Sequence, residues 1–196
     1  LETKIGNYKR SKFLAEQLVT QLTRELSLPL VIVNPSTPIG PGDVRPTPTG
    51  RLVLDTLAER MPAYVDTGLN IAHVDDIAYG HLLAYQKGRT GERYILGGDN
   101  LMLFQILKLI DEISENPRKR VKIPTNLMLP IAWCMEKVAR LTNTEPRATL
   151  DSIRMAKKRM FFSSEKAKQQ LGYQHRPAFD ALKDAVTWFK ENNYCK

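Results

Sequence analysis

Leu30-Val31-Ile32-Val33-Asn34-Pro35 is the stretch on which the fold turns. Four apolar residues follow Pro29 without a break, and three of them are β-branched. A strand with one wet face alternates apolar and polar residues; an unbroken run reads as a strand buried on both faces, the kind found in parallel sheets. Upstream, Asn7 can cap a helix reaching about Leu26, with Phe13, Leu14, Leu18, Leu22 and Leu26 at helical spacing. Helix, short link and buried strand make half of a βαβ unit, so the fold class is α/β.

Working outward, the strand empties into Asn34 to Gly50, a stretch with five prolines and three glycines. Loops this long and stiff inside a domain are usually functional. The pattern then predicts a helix from about Arg51 to Arg60, short strands at Ala63–Val65 and Leu69–Val74, and a helix over Asp75–Lys87 capped by its paired aspartates. A strand at Tyr94–Leu96 and a helix at Leu103–Ile113 follow. Pro130 suits the first turn of a helix to about Leu141. Ser163 or Ser164 can cap one ending at Leu171, before Gly172, and a last helix runs from near Pro177 to near Asn192. No glycine-rich phosphate loop follows a strand, and the chain opens in a loop leading to a helix, so the expectation is a fragment.

Composition narrows the classes. An apolar share of 42% in 196 residues belongs to a globular chain, not a disordered one. Cys134 and Cys195 form no metal-binding spacing, so no metal is expected. The longest apolar run, Leu127 to Met135, is far short of the roughly 20 residues that span a bilayer, and no secretory signal opens the chain; a cytoplasmic protein is the expectation. That run reads as core packing, with a greasy surface for a lipid-linked substrate as the rival. The net charge of +8 gathers at Arg118, Lys119, Arg120 and Lys122, and at Arg154, Lys157, Lys158 and Arg159. Aromatic residues are not interleaved with either cluster, so a solvated basic face is preferred to a nucleic-acid site.

Tyr8 and Lys12 carry the chemistry. At Y-x-x-x-K spacing on a helix they share one face and are neighbours. An ammonium beside a phenol stabilises the phenolate and lowers the tyrosine pKa from about 10, which lets it exchange protons near neutral pH. A surface Tyr/Lys pair would satisfy the same spacing.

The order of segments weighs on that choice. Tyr8-Lys9-Arg10-Ser11-Lys12, a helix, the strand, Asn34-Pro35-Ser36-Thr37, then His73-Val74-Asp75-Asp76-Ile77-Ala78 and Leu171-Gly172-Tyr173 together resemble the extended short-chain dehydrogenases/reductases of the NAD-dependent epimerase/dehydratase family. Arg45-Pro46-Thr47-Pro48-Thr49-Gly50, Met61 to Asn70 and Glu92 to Gly98 resemble its hopanoid-associated sugar epimerases, relatives of the dihydroflavonol 4-reductases. The resemblance implies a doubly wound Rossmann fold: residues 1–100 would be its C-terminal half with an inserted substrate loop at 35–70, and 101–196 a mostly helical substrate-binding part. The glycine-rich N-terminal half would be absent, and this fragment alone inactive.

By the same resemblance Tyr8 is general acid/base and Lys12 binds the ribose of NAD or NADP. Tyr8, Lys12, Pro35, Ser36 and Thr37 would line the cofactor, a reading preferred for the last three to its rival, a strand-end turn set by proline. Arg45, Thr47, Thr49 and Arg51 would grip a substrate or its phosphate, or simply face solvent. His73, Asp75 and Asp76 read as structural. The implied reaction is epimerisation of a nucleotide sugar or related sugar through a transient ketone. A dihydroflavonol-4-reductase-like ketone reductase and a non-catalytic cofactor sensor are the alternatives. The expected partner is a small sugar or ketone, not nucleic acid, with a peripheral membrane contact and a homodimer left open.

Overall fold

The structure is a computed structural model describing residues 7–124, 127 and 158–195, with the backbone alone at 7–9. The helix expected from Pro130 and most of the 127–135 run lie outside the described residues, as do Arg154 and Lys157. Helix α1 (Asn7–Glu25) leads into β1 (Ile32–Pro35), β2 (Thr37–Ile39), α2 (Pro48–Leu57), β3 (Ala63–Val65), β4 (Gly68–His73) and α3 (Val74–Lys87). Then come β5 (Arg93–Leu96), β6 (Asp99–Met102), α4 (Leu103–Ile113), β7 (Val121–Ile123), α5 (Glu165–Leu171) and α6 (Ala178–Glu191).

Three small sheets result. β1 pairs with β5 in parallel, Asn34 opposite Ile95. β4 lies between β2, parallel to it, and β6, antiparallel. β3 pairs with β7 in parallel. The α/β class and parallel pairing agree with expectation, but β1 starts two residues later, and its residues are half-buried at Ile32–Asn34 and exposed at Pro35 rather than enclosed. Among the described residues β5 is its one paired neighbour, which leaves the other edge of the strand uncovered.

The proline-rich stretch is more ordered than a loop. β2 lies within it, and α2 begins three residues before the expected start because Thr47 caps it and Pro48 occupies the first turn, where a missing N–H removes no bond. β6 and β7 were not foreseen. α3 is capped by His73, whose side chain accepts the Asp75 N–H, and the aspartates sit in the first turn instead. At the end of α5, Gly172 adopts φ 73°, a left-handed C-cap that suits glycine.

Burial forms two cores on opposite faces of β4. Ile71 joins Ile39, Val53, Ile106, Ile110 and Phe189. Ala72, the next residue, joins Ile77, Tyr94, Leu96, Leu171 and Tyr173. Successive strand residues point to opposite faces, so one strand separates the two.

The first basic cluster is only in part the solvated face that its sequence suggested, since Lys119 and Lys122 are exposed while Arg118 and Arg120 are not. Arg120 is 7% exposed and pairs with Asp111, 8% exposed, through both terminal nitrogens. Arg118 donates to Glu59 at 2.7 Å and Lys122 to Asp66 at 2.8 Å. Acidic residues elsewhere in the chain thus pair with Arg118, Arg120 and Lys122, which a one-dimensional count of basic residues misses.

Candidate active site at the strand ends

The α-helical backbone is continuous from Asn7 through Lys12, so positions 8 and 12 lie one turn apart on one face. Tyr8's side chain lies outside the described residues; Lys12 is exposed. α1 is tied to the β1–β5 pair by Glu16, which accepts from Arg93 at 2.5 Å.

At the carboxyl end of β1, Ser36 N–H donates to Leu96 O at 3.0 Å and extends the ladder one residue past Pro35. The Ser36 hydroxyl is buried and has no hydrogen-bond partner among the described residues. Buried hydroxyls are normally paired, and leaving one unpaired costs on the order of 1–3 kcal/mol. Its place at the end of a parallel strand is where open α/β sheets take their ligands. Pro35, Ser36 and Thr37 are contiguous there. Arg45, Thr47, Thr49 and Arg51 stand farther along the same stretch.

Sequence reasoning passed over Asp43, which organises the residues of that stretch. Its carboxylate accepts the Thr47 N–H at 3.0 and 3.1 Å and the Thr47 hydroxyl at 2.9 Å. Thr47 Oγ1 in turn accepts the Gly50 N–H at 3.2 Å and lies 3.2 Å from Thr49 Oγ1. A side chain at Gly50 would meet Asp43 Oδ2 at 1.9 Å and the Phe189 ring at 3.1 Å, so glycine is needed for close approach. The signal was available: Asp43 stands four residues before the Thr47-Pro48 cap. Arg45 and Arg51 are exposed.

His73, Asp75 and Asp76 lock the corner beneath. His73 is fully buried. Its Nδ1 accepts the Asp75 N–H at 3.1 Å and an Arg176 guanidinium N–H at 2.9 Å. The ring proton therefore sits on Nε2 and is donated to Asp184 at 3.1 Å. Burial pushes the Asp76 carboxyl up, but hydrogen bonds and charge from Arg176 outweigh it and hold that carboxyl below its usual range. These residues fasten the 173–178 segment and α6 to the start of α3.

The family model for the NAD-dependent epimerase/dehydratase family matches residues 3–97, the span that holds Tyr8, Lys12, the strand end and the His73 corner. A putative dihydroflavonol 4-reductase from Synechocystis is 44% identical over all of this chain and 58% of its own length. Residues 3–97 thus carry a domain of this family, and the chain as a whole is similar to extended short-chain dehydrogenases/reductases. The crystal structure of gox2253 superposes with a TM-score of 0.83 at 51% identity, over 98% of this chain and 58% of that one. PA4631, a nucleoside-diphosphate-sugar epimerase from Pseudomonas aeruginosa, gives 0.78 at 27% identity, over 99% and 58%. The chain thus spans a little under three fifths of the length of each of these relatives. Among the described residues no helix is long and apolar enough to cross a membrane.

Proposed function

We propose that the whole protein is an NAD(P)-dependent epimerase of a sugar or nucleotide sugar, with Tyr8 as general acid/base. What carries this reading is the spacing of Tyr8 and Lys12, one turn apart at the start of α1, within residues 3–97 that match this family. Ser36, a buried hydroxyl without a partner at a parallel strand end, fits a cofactor that brings its own polar groups. Lys12, Pro35, Ser36 and Thr37 would hold the dinucleotide, which when bound supplies the hydride chemistry.

The chain's own residues then do the proton work. Lys12 holds the Tyr8 phenol toward its ionised form, and Tyr8 takes the proton of a substrate hydroxyl as the carbon is oxidised. The same phenol returns the proton as the centre is reduced. Delivery from the opposite face inverts the centre; a single net reduction makes the protein a ketone reductase. That second reading is favoured by the Synechocystis relative, called a dihydroflavonol 4-reductase.

In the full-length protein Tyr8→Phe should lower kcat by at least about a hundredfold, the usual range for a lost general acid/base, with cofactor affinity nearly unchanged. Absorbance of the reduced cofactor at 340 nm and a fluorescence titration measure the two. Turnover within threefold of wild type would end the assignment of Tyr8.

A further inference from the structure

The first turn of α2 looks like an anion site and is built as its opposite. Helix N-termini hold phosphate because several N–H groups and the positive end of the dipole are free to meet it. Here the Thr47 N–H is donated to Asp43, the Gly50 N–H to Thr47 Oγ1 and the Arg51 N–H to Thr47 O. Pro48 has no N–H. Among the described residues of this turn, that leaves only the Thr49 amide for a ligand. A carboxylate already stands where the anion would go, and Gly50 admits it at a distance no side chain would allow.

Asp43 is also held in place. Tyr194 donates its hydroxyl to Val44 O at 2.6 Å, and Phe189 of α6 lies against Gly50. Beside the carboxylate is a cavity of about 210 Å³. Pro38, Pro41, Val53, Val74 and Phe189 are among the residues that line it. Its two polar side chains, Asp43 and Thr47, are bonded to each other. An apolar cavity of roughly 150 Å³ is enough to take a benzene-sized ring.

We infer that Asp43 is a specificity-determining residue: it bars phosphate from the start of α2 and restricts this subsite to an uncharged ring or alkyl group. The inference rests on reading the 38–50 stretch as the substrate side of the proposed enzyme. It narrows that proposal to an unphosphorylated sugar or ketone, or to a substrate whose phosphate is held elsewhere.

Amide and methyl NMR titrations of the full chain test it without turnover, so failure here leaves the Tyr8 chemistry untouched. Inorganic pyrophosphate should cause no saturable shift at the Thr47, Thr49, Gly50 and Arg51 amides of the wild type. Asp43→Ala, which frees the Thr47 N–H and hydroxyl and removes a charge, should bind pyrophosphate there at least about tenfold more tightly. Asp43→Asn retains an acceptor and should stay at the wild-type level or within a few-fold of it. Cyclohexanol should shift the Val74 and Ile39 methyls in all three. Saturable pyrophosphate binding by the wild type overturns the inference whatever the variants do. A folded Asp43→Ala chain with no gain, or Val74 and Ile39 methyls indifferent to cyclohexanol, would overturn it as well.

Discussion

Tyr173 shows how a single side chain can be fixed by burial alone. It is 1% exposed, its ring lies against Gly80 in the second core, and its hydroxyl has no hydrogen-bond partner among the described residues. Burial, with the Asp76 carboxylate nearby, pushes its phenol up to about 12. The unfolded chain ionises near 10, so this residue's contribution is intact below pH 10 and is lost as pH rises toward 12. Tyr173→Phe removes a buried group with no bond to lose; its urea midpoint at pH 7 should match or exceed the wild type's. Between pH 9 and 11.5 the wild type should lose midpoint faster than the variant. Equal slopes would mean that the phenol ionises in the folded state as freely as in water. The LGY triplet was visible in the sequence, but its burial was not, because that depends on α3 and α5 closing over it.

The elements divide between those governed by local rules and those imposed from a distance. α1, α3, α4 and α6 could be read within a residue or two because each carries its own apolar stripe and a start or stop signal. β6 and β7 could not. β6 opens with Asp99-Asn100, residues depleted in strands, and is held by Asn70, which donates to Asn100 at 2.7 Å and to Gly98 O at 2.9 Å. β7 is Val121-Lys122-Ile123, preceded by three basic residues, and the buried Arg120–Asp111 pair draws its segment onto α4. Arg120 also donates to Met61 O at 3.0 Å, next to β3. Arg120→Met should therefore destabilise the protein by about 3–5 kcal/mol, because Asp111 stays buried without its countercharge. Asp111→Leu combined with Arg120→Met should recover most of that loss. Denaturant midpoints for the two single variants and the double give the coupling; a double variant no more stable than Arg120→Met would show that the pair is not what holds β7. At the candidate site the division is the same. The Tyr8/Lys12 spacing is local and legible, whereas the unpaired Ser36 hydroxyl and the Asp43 plug exist only once β5, α2 and α6 are in place.

At the scale of the molecule, β4 decides what moves together. Its Ile71 face belongs to the core with α2, α4 and α6, and its Ala72 face to the core with α3, β5 and α5. The candidate site draws on both, since Ser36 is held by Leu96 of the second core and the Asp43 turn rests on Phe189 of the first. Phe189 is fully buried, with Trp188 and Tyr194 ring centroids at 5.3 and 5.5 Å. Phe189→Ala should destabilise by about 4 kcal/mol, the range for losing a buried phenylalanine whose cavity cannot collapse. Because the loss falls on one face of β4, it should not spread evenly. Hydrogen exchange in the folded variant should accelerate in α2, β2 and α6, and the Asp43 turn should open with them. Amides of α3 and β5 should keep more of their protection, as a separately packed unit does. The strand end at Ser36 would then outlast the loop at Asp43, so order at the two ends of the candidate site would be lost in two steps. Uniform acceleration through every element would instead mean that both faces of β4 fail as one, and that the two halves of the site are never ordered apart.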